Sequence, residues 1–438
     1  MPLQFNSSKF FDFISRRLSK LHRQDVNVLS TILKNQRIEQ NMTLEDITKD
    51  ICSKAYLCKF ENNLIDIDEG IAKRLCERVH VDYYKVMNLS SNNRLDHALK
   101  LYIYSQKEEL EAMYNDIVSD SLYIVNNELI KVLYYLLIHD EKNASNIINS
   151  LEKVKTTFSD YELAVFIMCI VEYYIFSSEF LCAKSFCTKL NNDLFCERSL
   201  LQIFKEDKFI IHANLGELVE AYIAYNELIK ENDNSYPMKR QFRDKVLFLE
   251  TFYSKDSLKE LEVLKNDLVP EEYATEYWYS YCTTLIKLEC YEECLDIIIR
   301  EKLESAEFAA LYAYAISEST KQSMKYEIAS SKKPINLVKY IDPKYIGGFN
   351  TLIAYMNQEK KKSIHRTFVK LVQYELTGTD KQKIIDYLKD VAIAEDEAHQ
   401  HRLYSAYYAN TLLRLLGSIA HYKEAYTLMI KNRNLMCR

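Results

Sequence analysis

The chain has 438 residues, a formal net charge of −6, 48% hydrophobic and 27% charged residues. That length exceeds one compact core and points to several domains or a domain plus a repeat array; the composition is that of a folded chain, and the negative balance excludes a general nucleic-acid coat. Only six glycines and five prolines are present, so few tight turns are expected and long helices with short connections fit best.

The opening stretch MPLQFNSSKFFDFISRRLSKL lacks the apolar run of a signal peptide. Residues 1–25 read as an arm with a basic amphipathic helix from Phe10 to Leu21. Phe10, Phe11, Phe13, Ile14 and Leu18 lie on one side; Arg16, Arg17, Lys20 and Arg23 on the other. Packing on the next domain or on a dimer partner suits it better than a membrane surface. The richest apolar window, LAVFIMCIVEYYIF from Leu163, carries Glu172 and falls short of a span. Eleven scattered cysteines fit a reducing compartment. A cytoplasmic protein without membrane association is therefore expected.

Residues 26–88 read as five short helices. The first, Val26 to Gln40, carries the stripe Val28, Leu29, Ile32 and Leu33. Thr43, with Asp46 three residues on, is a good N-cap for Leu44 to Asp50. Ser53 caps Lys54 to Glu61, which ends at Asn62-Asn63, since Asn tolerates the left-handed conformation. A fourth helix follows Asp66 with Ile71, Leu75 and Val79 inward, and Tyr83, Tyr84 and Val86 open a fifth. In the third helix Tyr56, Leu57 and Phe60 face inward. Ser53, Lys54, Ala55 and Lys59 face outward at its N-terminal end, where base edges and phosphates are read in a helix-turn-helix. Arg37, late in the first helix, is placed to touch backbone phosphate. The first ninety residues hold about 14 basic against 12 acidic side chains, a balance that permits such a head.

The stretch ICSKAYLCKFEN, Ile51 to Asn62, resembles the recognition-helix signature of Xre/Cro-type helix-turn-helix domains. More narrowly, it is similar to the form found in the peptide-responsive quorum-sensing regulators grouped as Rgg, Rap, NprR, PlcR and PrgX. The sequence departs from the family at Leu44, where Gln is usual, and at Asn63, where Gly is usual.

Asn88 to Arg94 is the best linker, and residues 94–438 keep a helical period nearly to the end. A small or short residue recurs in the second helix of successive pairs: Ala144, Ala183, Ala221, Leu258 and Cys294, at 36–39 residues. Ser363 and Ala425 take that place later. Leu215 to Ala221, Tyr291 to Cys294 and His421 to Ala425 resemble the tetratricopeptide motif, with Trp278 where its first helix keeps a Trp. Amphipathic pairs must stack to bury their apolar faces, so the expected fold is all-α: a helix-turn-helix head followed by a right-handed superhelical solenoid that binds peptide and dimerises. Register is lost from Lys332 to Gly348, read as an irregular connection.

The motif register points Asn214, Arg243, Thr251, Tyr279, Thr283, Lys287, Asn410 and Arg414 into the groove. The resemblance implies that Asn side chains there grip a short linear signalling peptide. A carboxamide both donates and accepts, and Arg or Lys can take a terminal carboxylate.

No Gly-rich phosphate loop, His-Glu-x-x-His or Gly-x-Ser-x-Gly is present. Cys290 and Cys294 are one turn apart without a completing His or Cys pair, and His399 and His401 diverge on a helix. No enzyme activity, metal or cofactor is expected. The expected function is transcription regulation: a homodimer binding a duplex DNA operator, controlled by a short peptide. The alternative is a Rap-like scaffold that binds a response regulator or other partner protein.

Overall fold

The computed structural model describes residues 3, 7–18, 28–62, 64–84, 86, 93–118, 124–188, 198–231, 237–266, 269–270, 273–330, 334–358, 363–399 and 401–431. Among them every regular element is a helix and none is a strand. Most of the stretch chosen as linker, Asn88 to Arg94, lies outside the described residues, as do Lys20, Arg23 and Asn63. The chain divides into two compact units, Met1–Lys208 and Phe209–Arg438.

In the first unit, the helices Val28–Glu39, Leu44–Thr48, Lys54–Glu61 and Glu69–Arg78 enclose a core of Leu29, Ile32, Leu33, Ile47, Leu57, Phe60, Leu75 and Val79. Local chemistry sets the helix starts. Thr43 and Asp46 form a reciprocal capping box, with Asp46 Oδ2 accepting from Thr43 N at 2.8 Å. Asp68 Oδ1 accepts from Gly70 N and Ile71 N at 2.9 and 3.2 Å. The second helix stops at Thr48, two residues early, because Asp50 turns left-handed at φ 61°. Asn62 ends the third helix differently from expectation. Its φ is −101°, and its Nδ2 donates to Cys58 O at 2.7 Å.

The arm helix Ser7–Leu18 turns its aromatic face to the repeat body rather than to the head core. Phe10 and Phe11 join Phe166 and Phe186, with ring centroids 4.6–6.2 Å apart. Its seat is thus the pair Asp160–Phe176 and Phe180–Cys187. The apolar window from Leu163 is the centre of that assembly, buried on every side from Leu163 to Val171 and half-buried at Glu172, Ile175 and Phe176. No described helix is long and apolar enough to cross a membrane.

Successive helix pairs follow, Val125–Leu137 with Glu141–Val154, then Asp160–Phe176 with Phe180–Cys187. In the second unit Ala274–Lys287 pairs with Tyr291–Arg300, and Arg402–Ser418 with Tyr422–Lys431. Ala144, Ala183, Ala221 and Cys294 are fully buried, as a close helix crossing requires. Ser363 is not of this set: it caps Ile364–Leu376, accepting from Arg366 N at 3.3 Å.

The turns themselves repeat. Ser105, His139, Ser178 and Gly216 all have φ between 54° and 69°, at intervals of 34, 39 and 38 residues; Glu289 and Ala420 adopt it in later pairs. Each closes a six-residue loop back onto its helix: Asp140 N donates to Tyr135 O at 2.9 Å, Glu179 N to Tyr174 O at 2.8 Å, and Cys290 N to Leu285 O at 2.9 Å. A glycine-poor chain thus builds the turn glycine favours with Ser, His, Glu and Ala, at roughly 1–2 kcal/mol of backbone strain each.

The core of the second unit is aromatic, with Tyr277, Tyr312, Tyr404 and Tyr408 fully buried. The segment read as irregular is largely ordered: a 3-10 turn at Leu337–Tyr340, then a helix from Pro343 to Gln358 that contains both Gly347 and Gly348. Gly348 is there because a Cβ would stand 2.7 Å from Tyr312 Oη.

Candidate functional sites

The first candidate is the outer face of Lys54–Glu61. Ser53 Oγ accepts from Tyr56 N at 3.2 Å and fixes the helix start. Leu57 and Phe60 are fully buried and Tyr56 half-buried, its hydroxyl donating to Asp66 O at 3.4 Å. Ser53, Lys54, Ala55 and Lys59 are all exposed, the first three at the helix start and Lys59 in its last turn, not at the N-terminal end as expected. Lys54 is paired with the Glu45 carboxylate on the preceding helix. The turn before the helix is held from below: Arg74 Nη2 donates to Asp50 O at 2.6 Å, and Arg78 donates to Asp46 O and Lys49 O, both at 3.1 Å.

Arg37 is placed otherwise than expected. Its Nε and Nη2 donate to Glu61 Oε1 and Oε2, each at 2.8 Å, and Nη1 donates to Met42 O at 3.2 Å. The side chains are 14% and 4% exposed, so the fork is spent inside the head. The hydrogen bond to Glu61 lifts the guanidinium pKa above its already high ordinary value. Arg37 therefore ties Val28–Glu39 to the last turn of Lys54–Glu61. A sequence signal existed: Glu61 follows Leu57 by four residues and shares its inward face, and a buried carboxylate needs a cation.

The groove residues fall into several places. Asn214 Nδ2 donates to Ile210 O of its own helix at 2.8 Å. Arg243 Nε lies 3.7 Å from Asp244 Oδ1. Thr251 is buried, its Oγ1 donating to Leu247 O at 2.7 Å, and Thr283 is 2% exposed, below the surface a peptide would touch. Tyr279, Thr283 and Lys287 line one face of Ala274–Lys287. Lys287 Nζ is held by Glu250 Oε1 at 3.0 Å. Tyr279 Oη meets His401 Nε2 at 3.0 Å, across 122 residues, and His401 stacks on Tyr404 with centroids 3.9 Å apart. Asn410 and Arg414 lie at the surface of Arg402–Ser418.

Arg414 belongs to a network that the sequence did not reveal. Glu375, 4% exposed, accepts from Arg414 Nη2 and Tyr407 Oη at 2.5 Å and from Lys321 Nζ at 3.1 Å. Burial raises its carboxyl pKa, but the charges of Lys321 and Arg414 and the hydrogen bonds outweigh it, so the net shift is downward. Three helices converge on one carboxylate, and neighbouring polar residues in a linear sequence carry no sign of that. The structure thus links Lys287 to Glu250, the residue before Thr251, and Tyr279 to His401 at the start of the Arg402–Ser418 helix. It makes no such link among Asn214, Arg243 and Asn410. Among the described residues no group of three or more His, Cys, Asp and Glu is placed to hold a metal.

Comparison with known protein families, curated proteins and solved structures finds no match to this chain.

Proposed function

We propose that the chain is a DNA-binding regulator with a helix-turn-helix head and a tetratricopeptide-like body that responds to a short linear peptide. The observation that carries the reading is the third head helix. Ser53, Lys54, Ala55 and Lys59 point outward from a helix whose other face is anchored by Leu57, Phe60 and the Arg37–Glu61 fork. A hydroxyl, a cation and a small residue at an exposed helix N-terminus, with a second cation, Lys59, in the last turn, suit phosphate and base-edge contact. A single head of this size buries too little for tight binding, so a twofold dimer on an inverted repeat is part of the proposal.

The peptide would act on the second unit. The closed contacts of Tyr279 with His401 and of Lys287 with Glu250 mean that it would have to prefer an opened arrangement. One observation favours the partner-protein scaffold instead: Lys54 is already paired with Glu45, which leaves less charge for phosphate. The test is duplex selection from a random library, followed by salt-titrated binding with light scattering. Lys54→Ala with Lys59→Ala should abolish specific binding at unchanged helicity and lower the salt slope by about one unit per lost phosphate contact. Equal binding by variant and wild type, or no selected duplex, would overturn the DNA reading in favour of the scaffold.

A further inference from the structure

A second site lies on the other side of the Ala274–Lys287 helix. Helical spacing puts Trp278 and Tyr281 on the face opposite Tyr279, Thr283 and Lys287. There they floor a cleft of about 420 Å³ between Lys255–Asn266 and Tyr291–Arg300. The two rings meet nearly at right angles, 72°, with centroids 5.9 Å apart, so they form two walls of a corner. Glu262 and Glu293 stand around it with Arg300 and with Asp296, which is paired with Lys344 at 2.5 Å. Tyr281 Oη donates to Glu262 Oε1 at 3.1 Å, which holds that carboxylate at the rim.

The corner already holds a cation from its own chain. Lys265 Nζ sits 4.6 Å from the centre of the Trp278 ring. Its side chain is 43% exposed, and 3.6 Å away lies Glu301 Oε1, which also accepts from Arg300 Nε at 3.0 Å and can share the ammonium if it leaves the ring. Aromatic faces attract cations through their quadrupole, and the surrounding carboxylates add to that attraction. The cleft is far larger than one ammonium and falls in the size range of small-ligand sites.

We propose that this cleft binds a basic side chain of a partner protein, arginine by preference, which displaces Lys265 onto Glu301. A planar guanidinium can stack on the indole while it donates to two carboxylate oxygens, which an ammonium cannot do. The site is independent of the DNA-binding reading, since it uses none of the head residues.

Trp278 is the only tryptophan in the chain, so its fluorescence reports this corner alone. The full-length protein is titrated with a Gly-Arg-Gly peptide, with spermidine, and with potassium chloride at matched ionic strength. The peptide should give a saturable change that the salt does not, and should bind more tightly than spermidine. Lys265→Met removes the internal competitor and should tighten peptide binding about three- to fivefold. Glu293→Gln, exposed and outside the core, should weaken it at unchanged helicity. A response equal to that of salt, or no tightening in the Lys265 variant, overturns the proposal. Tighter binding of spermidine overturns the assignment to a protein side chain.

Discussion

Arg37 offers the sharpest perturbation. In Arg37→Met the Glu61 carboxylate, 4% exposed, loses a bidentate partner. Breaking one side of a buried pair costs roughly 3–5 kcal/mol. The low end applies here, because the Lys34 ammonium lies close enough to Glu61 to compensate in part. A head of about sixty residues has about 3–9 kcal/mol in total at ordinary stability per residue, so about 3 kcal/mol opens it locally. Amide exchange in a peptide covering Lys54–Glu61 should then quicken about 100-fold, while one from Arg402–Ser418 keeps its rate. Arg37→Met with Glu61→Leu replaces the pair by apolar groups of similar size and should restore slow exchange. The same double variant discriminates between roles on DNA: an unchanged salt slope fits an internal tie, and a slope lower by about one fits a phosphate contact. Wild-type exchange in the single variant, or no recovery in the double, would refute the reasoning.

Gly348→Ala must push back Tyr312, whose hydroxyl donates to Tyr345 O at 2.8 Å, and should cost about 2 kcal/mol by thermal denaturation. Gly347→Ala meets nothing within 4 Å and should stabilise by about 0.5–1 kcal/mol through helix propensity alone. Ala420→Gly relieves a left-handed residue at φ 63° and should raise stability by about 0.5–1 kcal/mol in the same assay, whereas a loss would mean that the strain is absent. Glu375 has a depressed folded pKa, so its contribution is fully present above the ordinary 4.5 and is lost as pH falls through the folded value. Glu375→Gln should therefore cost about 3 kcal/mol in urea titrations at neutral pH and flatten the acid limb of the stability curve.

What the sequence determined by itself is the part of the fold that depends on near neighbours. Thr43 with Asp46, and Ser53 before Lys54, marked helix starts because a cap needs only its own next turn. Ala144, Ala183, Ala221 and Cys294 marked second helices because a close crossing admits only small side chains at a fixed place in each pair. The outward face of Lys54–Glu61 was legible for the same reason, since inward residues recur at helical spacing. Tertiary structure alone decided which cation meets which carboxylate. Arg37 could have faced solvent until Glu61 came 2.8 Å away, and Arg414 could have lined an open groove until Glu375 claimed it. The left-handed turns escaped notice because Ser105, His139 and Ser178 stand where glycine would have signalled them. Residues 122 apart, such as Tyr279 and His401, carry no mutual sign in the sequence. Periodicity records which face of a helix is buried, and through-space distance, set by how the helices stack, records against what.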